Sequence, residues 1–209
     1  MTQAHPIRST STITTLRALM PDRPLSYPEA LTVAELQANR LLELSSITEP
    51  PVPNLIITDL PRLDVAYRDN LPMSGYTEWS SGRWHIVLNR SESPLRQRFS
   101  LAHEFKHLLD HPYISRSYAD IQSMRPEDVA ERICDYFAAC LLMPKVWVKS
   151  LYFHEGIQDV SILARELVVS QAALLYRLDQ LGVVPNVPRH RPYRRELPHR
   201  SALLVGAAA

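Results

Sequence analysis

The pentapeptide His103-Glu104-Phe105-Lys106-His107 constrains this chain more than any other stretch. Histidines four residues apart stand one helical turn above each other, and the glutamate beside the first reaches the same side. That spacing predicts a helix over residues 99–109, with Leu101, Phe105, Leu108 and Leu109 forming an apolar face. His103 and His107 fall beside that face, where side chains line a cleft. Both imidazoles can then reach one divalent ion, and Glu104 can reach a water on it, the core of a zinc hydrolase.

A tetrahedral catalytic zinc takes three protein ligands and keeps one open position, so a third ligand must come from elsewhere. Glu131 is the strongest candidate. It opens a segment in which Ile133, Phe137, Ala138, Leu141 and Leu142 recur at helical spacing, with Pro144 as the stop. Asp135 lies four residues on and shares the face of Glu131, where it can accept the free ring N–H of a ligating histidine. His111 stays outside the ligand set. A straight helix puts it about 12 Å along the axis from His103, too far for one ion bound at about 2 Å, and Pro112 ends the helix there.

The run Arg98-Phe-Ser-Leu-Ala-His103-Glu104-Phe-Lys-His107-Leu-Leu-Asp-His111, followed by Glu131-x-x-Cys-Asp135-x-Phe-Ala-Ala-x-Leu-Leu-Met-Pro144, resembles the ImmA/IrrE family of metallo-endopeptidases. The resemblance implies a zinc-dependent endopeptidase with Glu131 as third ligand, Asp135 at a position that is usually Asn or Asp, and a substrate that is a helix-turn-helix repressor or antitoxin. Lys106 stands where the family commonly has Gly, and Cys134 where it commonly has Ala. The long stem of Lys106 can carry its charge sideways into solvent, and Cys for Ala is a small apolar exchange.

In the mechanism these residues suggest, Glu104 takes a proton from water and passes it to the leaving amine. Tyr113, Tyr118 and His154 are the candidates for the donor that steadies the oxyanion. Zn²⁺ is the expected ion, with Mn²⁺ and Fe²⁺ also compatible with such ligands. Two other classes remain open. One is a metal-containing regulatory module that engages DNA or a partner without proteolysis, and the other is a protease toxin paired with an antitoxin.

The 209 residues suit one domain with tails. A formal charge of +1 gives no global steering toward nucleic acid, and no run approaches the ~20 apolar residues of a membrane span. The N-terminus lacks the apolar core of a secretory signal, so a cytoplasmic protein is expected. Cys134 and Cys140, six apart on one expected helix, are beyond disulfide reach and read as reduced core residues.

The expected class is α+β: helices and a small antiparallel sheet beside the H-E-x-x-H helix, with a helical C-terminal part. Residues 1–28 read as a loosely attached arm, 29–184 as the peptidase domain and 185–209 as a flexible basic tail. A helix is expected over residues 27–44, then strands over 54–58, 63–67, 74–79 and 83–88, the last two joined as a hairpin through Ser80-Ser81-Gly82. Residues 84–88 are either the edge strand to which an extended substrate adds or an interior core strand. The pattern over 160–182 resembles a helix-turn-helix in which Gln171, Tyr176 and Arg177 would meet DNA. Its many leucines and few basic residues favour a packed helical pair, so direct nucleic-acid binding is not expected.

Overall fold

The computed structural model describes residues 11–119, 121 and 124–183. Three helices precede the sheet: α1 (Thr12–Arg17), α2 (Tyr27–Leu44) and the single turn α3 (Leu55–Thr58). At the start of α2 the Ser26 backbone N–H donates to the Glu29 carboxylate at 2.8 Å, and Pro28 sits in the first turn, where a missing N–H costs nothing. Residues 55–58, expected as a strand, are helical. Their β-branched run is overridden by packing, which buries Ile56 and Ile57 in the core.

The sheet holds β1 (Leu63–Arg68), β2 (Gly75–Ser80) and β3 (Arg83–Asn89) in the order β1-β3-β2. The class is α+β as expected, but the sheet is mixed. β2 and β3 form the antiparallel hairpin, turning through Ser81 and Gly82, both at positive φ, whereas β1 runs parallel to β3. β3 is therefore central and paired on both sides, so residues 84–88 are not an edge. The edge beside the H-E-x-x-H helix is β2.

That helix, α4 (Pro94–Asp110), is capped by Ser93, whose Oγ accepts the Arg96 N–H, with Pro94 at the first position. From Ser100 to Asp110 every residue of α4 is buried, so it is enclosed all round and not half-exposed at a stripe's edge. On one side lie Trp84, Ile86 and Leu88 of β3, and α6 (Pro126–Leu142) packs against both α4 and α2. α6 begins five residues before Glu131, with Pro126, Glu127 and Asp128 in its first turn.

The segment before residue 28 is tied in from Ser11 onward, contrary to a loose arm. Leu16, Met20 and Leu25 are buried in the core. Arg17 donates to the carbonyls of Leu108 at 2.7 Å and Leu109 at 3.3 Å, closing the C-terminal end of α4, where helical carbonyls lack partners. Residues 1–10 and the expected tail over 185–209 lie outside the described residues.

After the short α5 (Ile114–Ser117) and α6 come α7 (Lys145–Lys149), which runs into a π-helical turn (Ser150–His154), then α8 (Val160–Leu167) and α9 (Gln171–Gln180). Ser170 caps α9, as its sequence suggested, and Gly182 follows it at φ +66°. Arg177 is not free to read DNA. It is buried, with Nε donating to the Met143 carbonyl at the end of α6 at 3.1 Å and its guanidinium over the Tyr136 ring. The helix pair is a packed ending to the domain.

Candidate metal centre

His103 and His107 stand one turn apart on α4, with their Nε2 atoms 3.0 Å from each other. Glu131, from the second turn of α6, meets both: Oε2 lies 3.4 Å from His103 Nε2 and Oε1 3.2 Å from His107 Nε2. A tetrahedron of ligands about 2 Å from a central ion has edges of about 3.3 Å. Each separation is close to such an edge, with a different Glu131 oxygen facing each histidine. Glu131 Oε2 is buried and has no hydrogen-bond partner among the described residues, which an ion would supply. The donor set therefore fits a divalent metal.

Asp135 occupies the position expected for it, with Oδ1 3.0 Å from His103 Nδ1. That contact assigns the ring proton to Nδ1 and turns Nε2 toward Glu131 and His107. Burial works against a charge on His103, yet Asp135 and then Glu131 outweigh it, raising its pKa to about 10 without a metal. Burial likewise opposes charge on Glu131, and the close approach of His103 and His107 outweighs it, holding the carboxyl at about 2. The Glu131 and Asp135 side chains are 26% and 29% exposed while both histidines are enclosed, so the centre opens along α6.

Glu104 is buried beside the histidines, and the Thr77 hydroxyl lies 3.0 Å from its Oε2. Nothing in the linear pattern pointed to Thr77, because its strand reaches α4 only through the fold.

Cys134 also comes close: its sulfur and one nitrogen from each histidine lie within 4.8 Å of one another. Burial pushes its thiol well above the ordinary range, whereas Glu131 is held in its ionised form. Cys134 and Cys140 are both buried and free.

Lys106 does not project into solvent. Its ammonium is buried, donating to Asp110 Oδ1 at 2.5 Å and Gln37 Oε1 at 2.6 Å. Tyr118 donates to the other Asp110 oxygen, which removes Tyr118 as an oxyanion donor. Tyr113 is half-buried and His154 is exposed. His111 follows α4 with its ring against Trp84.

Residues 62–179 match the family model of the IrrE N-terminal-like domain, which spans α4, α6 and the sheet. The chain belongs to the ImmA/IrrE family. Among curated relatives, it is similar to the "Radiation response metalloprotease IrrE" of Deinococcus deserti, 35% identical over 105 residues that cover 48% of this chain and 37% of that protein. The protein of the same name from Deinococcus radiodurans is 27% identical over 175 residues, covering 77% of this chain and 50% of that one. The chain thus spans half or less of the length of these relatives. Among solved structures, a "Mycobacterium tuberculosis transcriptional regulator" superposes with a TM-score of 0.57 at 16% identity, over 81% of this chain and 52% of that one, a likeness of fold. Membership in a metalloprotease family agrees with a donor set that could hold a metal ion. No helix among the described residues is long and apolar enough to cross a membrane.

Proposed function

We propose that this chain is a zinc-dependent endopeptidase of the cytoplasm that cleaves a separate helix-turn-helix repressor or antitoxin-like protein in a regulatory switch. The observation that carries the reading is the convergence of two imidazole nitrogens and one ionised carboxylate at 3.0–3.4 Å, with a second carboxylate, Glu104, buried alongside. His103, His107 and Glu131 would hold the ion, which supplies Lewis acidity toward a scissile carbonyl and acidifies water. Glu104 accepts the water's proton and delivers it to the leaving amine. Asp135 keeps the His103 ring oriented. β2 ends the sheet next to α4, where an extended peptide can add by main-chain hydrogen bonds.

Two free buried cysteines suit a reducing compartment. The substrate class rests on the family's habit of cutting repressors. The test incubates zinc-loaded protein with the helix-turn-helix repressor encoded nearest to it, beside Glu104→Gln. A cut in the repressor that the variant does not make is expected. An intact repressor in both reactions, with zinc bound, would overturn the endopeptidase reading and favour a binding module.

A further inference from the structure

Glu104 is held from the sheet as well as from its own helix. Thr77 is buried on β2, with Oγ1 3.0 Å from the Glu104 main-chain oxygen and 3.0 Å from its Oε2. Gly75 precedes it by two residues, hence on the same face of the strand. A Cβ at Gly75 would stand 3.2 Å from Glu104 Cγ and 3.0 Å from the Val87 carbonyl, so the strand leaves room for the glutamate's stem where it places no side chain. One strand face thus offers a gap for the stem and a hydroxyl for the carboxylate.

We propose that Thr77 is a positioning residue for Glu104, fixing the plane of its carboxylate; this rests on the reading of the chain as a peptidase with Glu104 as base. The terminal torsion of a glutamate is broad and has no staggered wells to fix it. A hydroxyl carries one donor hydrogen, and here two acceptors of the same residue lie within its reach. Pointing at Oε2, it sets the carboxylate plane. Once Glu104 has taken a proton on its other oxygen, the hydroxyl still donates to Oε2 or to the main-chain oxygen, so one geometry serves both states. The water oxygen bonds to the carbonyl carbon as its proton passes to Glu104, and that proton then reaches the amide nitrogen as the C–N bond breaks. Thr77 gains and loses no proton overall.

The test uses the zinc-loaded full chain and a random dodecapeptide pool, with new N-termini read by mass spectrometry, then one cleaved sequence for kinetics. Thr77→Val should lower kcat by about 10- to 100-fold with KM changed less than about twofold, as expected for a misplaced catalytic group. Zinc content should stay at wild-type level, and Thr77→Ser should restore most of the rate. Thr77→Ala against Thr77→Ser, which differ only in the hydroxyl, repeats the comparison if valine disturbs folding. Wild-type kcat in both Thr77→Val and Thr77→Ala, equal losses in Ser and Ala, or loss of zinc would each overturn the proposal. A wild-type chain that cleaves nothing, or a Glu104→Gln chain that cleaves equally well, would instead sink the peptidase reading and the proposal with it.

Discussion

Asp135 Oδ1 lies 3.0 Å from His103 Nδ1, one turn of α6 beyond Glu131, so a single helix carries both the carboxylate proposed as a ligand and the group that orients the His103 ring. Removing such an outer partner costs about 10- to 100-fold in metal affinity. Asp135→Ala should show that loss in a competition titration with a chelating dye. Asp135→Asn, which keeps an acceptor oxygen, should lose less. Unchanged affinity in both would contradict the role given to Asp135.

Lys106 and Asp110 form a fully buried ion pair extended by Gln37 and Tyr118. Breaking one side of such a pair strands a charge in the core and costs roughly 3–5 kcal/mol. Lys106→Met should reduce stability by that order in urea unfolding, and replacing Asp110 by Leu in the same chain should recover much of it. A Lys106→Met chain as stable as wild type would show that the ammonium is solvated.

The contacts among His103, Asp135 and Glu131 make the stability of the metal-free protein depend on pH. The His103 pKa is raised from 6.5 to about 10, so its contribution is complete below 6.5 and lost as pH rises through 10. Glu131 is lowered from 4.5 to about 2, so its contribution is complete above 4.5 and lost as pH falls through 2. Both shifts come from one set of contacts and count once. Thermal melts of chelator-treated protein should plateau between pH 4.5 and 6.5 and decline on either side. Saturating zinc, which requires neutral imidazoles, should shrink the alkaline decline. A flat profile from 6.5 to 10 without metal would contradict the ion pairing.

Arg177 ties α9 to the end of α6 through the Met143 carbonyl. Loss of a hydrogen bond from a charged group costs about 1.5–3 kcal/mol, and Arg177→Met should destabilise the fold by that amount in chemical unfolding. No change would mean that the helix pair docks without it.

What could be read from the sequence followed the range of each interaction. The H-E-x-x-H spacing, the helix from Tyr27 to Leu44 and the hairpin through Ser81 and Gly82 are local, and all are present. The parallel pairing of β1 with β3 is not local, so the central place of β3 was hidden. Lys106 was misread for the same reason: Gln37, which holds it in the core, lies 69 residues away. At the site, Glu131 and Asp135 could be found because they repeat a helical spacing, whereas Thr77 touches Glu104 across 27 residues and carries no pattern of its own.

The central claim is that Glu131, and not the neighbouring Cys134, completes the histidine pair. Calorimetric titration of Zn²⁺ into metal-free wild-type, Glu131→Ala and Cys134→Ala chains tests it directly. The expected result is one tight site per chain in wild type and Cys134→Ala, with tight binding lost in Glu131→Ala. Tight binding that survives in Glu131→Ala and disappears in Cys134→Ala would contradict the account.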